Sequence, residues 1–198
     1  MTRSFIFPGQ GSQNVGMGQE LAQAFQTAKL LFEEMDEALK QNLTRLMFQG
    51  PEDELQKTEN AQPALMAVSL AVFRILTEDG NMNLQASADC VAGHSLGEYS
   101  ALTAAGAFEF TTAARILKTR GQAMQEAVPI GAGAMAALLG LDMDAVQEVC
   151  EGAREVGVCD AANDNATGQI VISGATEAIE KALEIASEKG AKRAIQLP

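Results

Sequence analysis

Basic residues are scarce in this chain: 14 Lys and Arg stand against 26 Asp and Glu, for a formal net charge of −12. A surface of that sign repels polyanions, which excludes nucleic acid and anionic membrane as main partners. Any basic patch must be local, with Lys118 and Arg120 or Lys192 and Arg193 as its candidates. Cysteine is thin as well. Cys90, Cys150 and Cys159 show no metal-ligand spacing, so no metal or redox cofactor is suggested, and all three read as reduced core thiols of a cytoplasmic protein. Long apolar runs are missing. The longest nearly apolar stretch, 64–73, is far too short to cross a bilayer, and the N-terminal run Phe5-Ile6-Phe7 stops at Pro8, so no signal peptide is visible. Histidine occurs once, at His94.

What the chain does have is periodicity. With 47% hydrophobic and 20% charged residues over 198 positions, it can bury one good core and a smaller companion. Segment 3–7 reads as a strand, followed by the glycine-rich loop Pro8-Gly9-Gln10-Gly11-Ser12-Gln13. Helical spacing carries 21–25 and 30–39, whereas 42–60 is mixed and polar with short helical pieces at most. Segment 64–78 reads as a helix apolar nearly all round, hence central and buried. Segment 87–92 reads as a buried strand, 98–105 as a helix, and 111–127 as a further helix closed by Pro129. After Gly131 the character changes. Strands at 134–139, 156–161, 169–173 and 192–197 are interleaved with two helices. Asp142 caps the first, which carries Ala145, Val146, Val149 and Cys150 on one face; the second, 177–189, has Ile179, Ala182, Leu183 and Ala186 on one stripe. That order, βαββαβ, is the ferredoxin-like pattern. The expectation is an α/β domain over 1–131 with a hydrolase-like parallel sheet, and a small ferredoxin-like subdomain over 132–198.

Chemistry is concentrated at Gly93-His94-Ser95-Leu96-Gly97. A G-x-S-x-G run between a strand and a helix is a nucleophile elbow, in which glycines permit the sharp turn and the serine Oγ stands exposed above a helix N-terminus. The alternative is a tight turn holding an ordinary serine. Arg120 shares helical spacing with Leu117, Gly121, Met124 and Val128, which sets its guanidinium on an inward stripe. Its planar fork suits a carboxylate, either an internal Asp or Glu or that of a substrate beside Ser95. The glycine-rich loop offers unobstructed N–H groups. An acyl-transfer oxyanion hole needs two such donors, and Leu96 and Gln10 are the candidates. Phosphate cradling is the rival use of such a loop, but the Lys-Ser/Thr ending of a P-loop and the spacing of a dinucleotide fingerprint are both missing.

Five motifs appear in order: Phe7-Pro8-Gly9-Gln10-Gly11-Ser12-Gln13, Asn60-Ala61-Gln62-Pro63-Ala64-Leu65, Gly93-His94-Ser95-Leu96-Gly97-Glu98-Tyr99-Ser100-Ala101-Leu102, Arg120-Gly121-Gln122-Ala123-Met124-Gln125 and Gly168-Gln169-Ile170-Val171-Ile172-Ser173-Gly174. With them the chain resembles the malonyl-CoA:acyl carrier protein transacylases of bacterial fatty acid synthesis, from Phe7 to its end. The resemblance implies a ping-pong reaction. Ser95 attacks the malonyl thioester, coenzyme A leaves, and the phosphopantetheine thiol of acyl carrier protein collects the acyl group. It further implies that Arg120 holds the malonyl carboxylate, that the Gln10 and Leu96 N–H groups form the oxyanion hole, and that Gln62 and His94 line the site. The ferredoxin-like subdomain, with Asn163 and Asn165, would form the other wall. Coenzyme A enters as a substrate carrier, without a further cofactor, and the complete protein would be a monomer.

Two departures stand out. Thr167 occupies a position where the family often has proline, which bears on the rigidity of that loop. The family also takes its general base from a histidine shortly after the last strand of the small subdomain, and this chain ends at Pro198, before that point. His94, adjacent to Ser95 in a sharp turn, is poorly placed to serve instead. The sequence is therefore expected to be an N-terminal fragment, with little activity alone and apolar surface exposed on its large domain. A serine hydrolase or thioesterase is the alternative enzyme, since elbow and oxyanion hole serve either reaction, and a non-catalytic binding fragment is the third reading. An inward arginine separates the two enzyme readings, because a hydrolase for neutral acyl chains has no use for it, and acylation of Ser95 by malonyl-CoA separates an enzyme from a binding fragment.

Overall fold

Strand β1 (Ser4–Phe7) pairs in parallel with β2 (Cys90–Gly93), placing Phe7 opposite Gly93. The computed structural model describes residues 3–129 and 131–197, and the chain divides into two compact units, Met1–Glu126 and Ala127–Pro198. Between the two strands of the first unit run α1 (Gln19–Ala24), α2 (Gln26–Leu39), α3 (Leu43–Gln49), α4 (Glu52–Gln56), α5 (Thr58–Arg74) and α6 (Leu84–Ser87). Helices α7 (Leu96–Ala104) and α8 (Phe110–Ala127) follow β2. The parallel pair is the sheet expected of an α/β domain, and a crossover of this length is what a parallel connection requires.

Helix α5 is the axis of the unit. It buries Ala61, Gln62, Ala64, Met66, Ala67 and Ala71 completely, against Leu31, Phe32 and Met35 of α2 and Leu96 of α7. A π-helical turn, Ile75–Asp79, prolongs it, so the helical span Thr58–Asp79 reaches 22 residues, and its most apolar 18-residue window has a mean hydropathy of 1.2. That is longer than the 64–73 run read from the sequence, and by length and composition it could cross a bilayer. Its apolar window is 56% buried inside the protein, so its apolarity is accounted for by the core it fills. Beside β1, the exposed side chains of Ile6, Val72 and Leu76 line an apolar hollow of about 270 Å³ with Phe5 and Phe73.

The second unit contains β3 (Gly133–Leu139), α9 (Met143–Ala153), β4 (Cys159–Ala166), β5 (Gln169–Ala175), α10 (Thr176–Glu188) and β6 (Arg193–Gln196). Its sheet runs β4-β5-β3-β6 with every pair antiparallel, the ferredoxin-like arrangement. Asp142 caps α9, its Oδ1 accepting the Ala145 N–H at 2.9 Å. Val146, Val149 and Cys150 of α9 and Ala178, Ile179 and Ala182 of α10 close a core over Leu138, Ile170 and Ile172, with Leu183 packed at its margin. The strand expected at 156–161 begins later, at Cys159, and leaves Val156 and Val158 exposed. Arg154 explains the shift, because its Nε donates to the Cys159 carbonyl at 3.1 Å and holds 154–158 as a turn. The same strand then runs on through Asn163 and Asn165. Register shifts at 161–163 and 164–166 break the alternation by which a strand is read from sequence.

Two of the three cysteines are core thiols. Cys150 and Cys159 are buried side by side, and burial first, then the neighbouring thiol, pushes Cys150 up to about 12. Cys90 is exposed, a correction to the sequence reading: β2 is short and turns Cys90 and Ala92 outward, with the Cys90 Sγ 3.1 Å from Ser4 Oγ. The folded chain should therefore take up one equivalent of iodoacetamide quickly at pH 8, on Cys90, and three after denaturation. Rapid labelling of Cys150 in the folded state would contradict the packing of α9 on β4.

Candidate active site

The elbow is built from glycines that have no room for a side chain. A Cβ on Gly93 would overlap the Gly97 carbonyl group, and one on Gly97 would overlap Phe7 O and come within 2.6 Å of Pro8 O. The first turn of α7 is thus pressed against both strands, and the chain can reverse only by forcing Ser95 into φ 52°, ψ −112°. Strain of this kind at a non-glycine residue persists only when its surroundings dictate it. The result is an exposed serine at the end of β2, one residue before the N-terminus of a nine-residue helix. Leu96 is the first residue of that helix, so its N–H has no intrahelical acceptor.

Arg120 reaches this serine from α8. Its Nη2 donates to Ser95 Oγ at 3.0 Å and its Nη1 to Gln62 Oε1 at 2.6 Å. Gly121 makes the approach possible, since a Cβ there would overlap the Glu59 backbone at the start of α5. Gln62, fully buried on α5, donates through its Nε2 to Met124 Sδ at 3.3 Å. The Arg120 guanidinium carbon also lies 5.8 Å from the centre of the Tyr99 ring, close enough for a cation–π contact, and Tyr99 stacks on Phe108. The nearby carboxylate is engaged elsewhere. Glu59 pairs with Lys118 at 2.8 Å, and the lysine's hydrogen bond holds that carboxyl below the usual range. Lys118 also donates to Asn60 Oδ1 at 3.0 Å, which ties it to α5. Among the described residues Arg120 has no acidic partner, so of its two possible uses an internal ion pair is the one the geometry lacks.

The remaining expected residues are distributed as follows. Gln10 lies in the exposed loop after β1 and ties it to α5 through a bond from its Nε2 to Thr58 Oγ1 at 3.3 Å. That loop abuts the elbow, because a Cβ on Gly9 would come within 2.6 Å of His94 Nδ1 and 3.0 Å of His94 O. His94 donates its backbone N–H to Phe7 O at 3.1 Å, continuing the β1–β2 ladder. Asn163 and Asn165 fall on β4 of the other unit, where Asn163 pairs with Val171. The structure therefore brings Ser95, Leu96, Arg120 and Gln62 together, Arg120 bridging Ser95 Oγ and Gln62 Oε1, with the Gln10 loop alongside. Two side chains that support this group from outside were not read from the sequence. Tyr99 stands one helical turn beyond Ser95, and Met124 one turn beyond Arg120. The inward stripe assigned to α8 holds for Leu117 and Gly121 but not for Met124 in its last turn, which is 50% exposed, nor for Val128 just beyond its end, which is 48% exposed.

Comparison with known proteins agrees with this arrangement. The acyl transferase domain family matches residues 4–197. The malonyl CoA-acyl carrier protein transacylase of Bacillus subtilis is 51% identical over 195 residues, covering 98% of this chain and 60% of that protein. The crystal structure of an acyl-carrier-protein-S-malonyltransferase from Bartonella henselae superposes with a TM-score of 0.95 at 56% identity, covering 100% of this chain and 63% of that one. A type II polyketide acyl-carrier protein in complex with its malonyl-transacylase gives 0.92 at 43% identity, covering 100% and 62%. The chain spans about three fifths of the length of these relatives. With the match running almost end to end and the elbow, the serine and the arginine in place, this chain belongs to the acyl transferase domain family.

Proposed function

We propose that this chain carries the acyl-accepting centre of a malonyl-CoA:acyl carrier protein transacylase. The observation that supports it is the Arg120 fork, which has no carboxylate partner among the described residues and has one arm 3.0 Å from the Ser95 oxygen. Ser95 Oγ attacks the thioester carbonyl of malonyl-CoA. The Leu96 N–H and the Gln10 backbone N–H receive the developing oxyanion, and coenzyme A departs as its thiol with the proton that the serine gives up. Arg120 releases its bond to Oγ and takes the free carboxylate of the malonyl group, while Gln62 and Tyr99 keep the guanidinium in place. In the second half-reaction a phosphopantetheine thiol of acyl carrier protein attacks the malonyl-serine ester. The relative solved together with its carrier protein favours that acceptor. No further cofactor enters this chemistry, and the enzyme works in the cytoplasm. A thioesterase would use the same elbow, but a guanidinium with no carboxylate among the described residues argues for a substrate that ends in an anion.

The test is intact-mass and peptide analysis after prolonged incubation with malonyl-CoA. One malonyl group on Ser95, absent in Ser95→Ala, is the expected result. An unmodified chain, or malonate released without an adduct, would overturn the proposal.

A further inference from the structure

Gln62 is fully buried, and the two ends of its amide meet unlike partners. Its carbonyl oxygen accepts from Arg120 Nη1 at 2.6 Å, and its amino group donates to Met124 Sδ at 3.3 Å. Arg120 and Met124 are four residues apart on α8, so a single helical face brackets the amide from both sides. The orientation matters because a guanidinium can only donate. With the amide reversed, its NH₂ would oppose the arginine N–H groups, and the Nη1 end of the fork would lose its anchor. We propose that the Met124 sulfur is the positioning group that fixes this orientation, and through it the aim of Arg120 at the acyl group on Ser95. The inference rests on the malonyl-transfer reading above and extends it to a residue that need not touch the substrate.

Met124 is half exposed, so little core packing depends on it, and its sulfur is the acceptor that the buried NH₂ uses. A thioether is a weak acceptor, but an apolar replacement of the same size offers none and leaves a buried donor unmet.

The experiment compares the parent chain with Met124→Leu, which keeps the volume and removes the acceptor, and Met124→Gln, which restores an acceptor on an unbranched side chain. Single-turnover acylation of Ser95 is measured with malonyl-CoA and with acetyl-CoA, alongside thermal unfolding of all three proteins. The expected result is a roughly tenfold fall in the malonyl-to-acetyl rate ratio for Met124→Leu, with the acetyl rate unchanged and the ratio recovered in Met124→Gln. An unchanged ratio in Met124→Leu overturns the inference. So does an equal fall with both thioesters, or a fall that Met124→Gln does not repair, because either would mean mere packing. Failure of the parent chain to accept malonyl at all would instead overturn the malonyl-transfer reading, and this inference with it.

Discussion

Arg120→Ala should slow acylation of Ser95 by malonyl-CoA about 10²- to 10³-fold and leave acetyl-CoA within a few-fold of the parent rate. The magnitude follows from what is lost. A charge-assisted fork on a carboxylate, in a partly desolvated site, is worth about 3–4 kcal/mol when one partner is truncated, and each 1.4 kcal/mol is a factor of ten. Acetyl has no distal carboxylate and forfeits nothing. Lysine should be a poor substitute, since an ammonium is a point charge that cannot hold Gln62 Oε1 and a carboxylate in one plane as the guanidinium does. Parallel single-turnover assays with the two thioesters decide the matter. If the preference for malonyl survives in Arg120→Ala, the arginine does not recognise the substrate, and its contact with Ser95 has another purpose.

Gly97→Ala should be among the most damaging small substitutions in the first unit. The added methyl would overlap the Phe7 carbonyl oxygen and come within 2.6 Å of Pro8 O, and both obstacles are backbone atoms that cannot swing aside. Either β1 separates from α7 or the elbow unwinds, at a cost of about 3 kcal/mol or more, which corresponds to a fall in Tm of roughly 10 °C. Any protein that still folds should have lost Ser95 labelling by malonyl-CoA. Gly106→Ala is the control. Its methyl would meet no atom within 4 Å, and only its φ of +80° makes it unfavourable, by about 1 kcal/mol. Equal melting temperatures for the two variants would show that the elbow is not held by close backbone contact.

The parts of the molecule legible in the sequence are those whose physics is local. Ser95 was marked by its flanking glycines and Arg120 by its spacing on α8. The order of strands and helices in the second unit followed from residue period and from caps such as Asp142. Gln62 was reached only through family resemblance, because nothing in its own neighbourhood distinguishes it from other residues of an apolar helix. Its importance comes from α8, 58 residues further along the chain. Tyr99 and Met124 escaped for the same reason, since each acquires its role from a side chain on another helix or from the turn before it. The exposure of Cys90 is not legible, because a buried apolar strand and one that turns alternate residues outward look alike over four residues. The Asn163–Asn165 segment hid within β4 because bulged pairing erases the period-two signal.

The missing side chain at Gly121 has a consequence for substrate size. It lets α8 seat directly on the backbone of Glu59, and helices touching at that closeness cannot slide apart by small steps. The point from which the Arg120 side chain leaves its helix is thereby set by two rigid rods, much as the jaw of a calliper is set by its frame. On the malonyl-transfer reading, a diacid one methylene longer than malonyl should buckle to fit, or leave its far end ungripped.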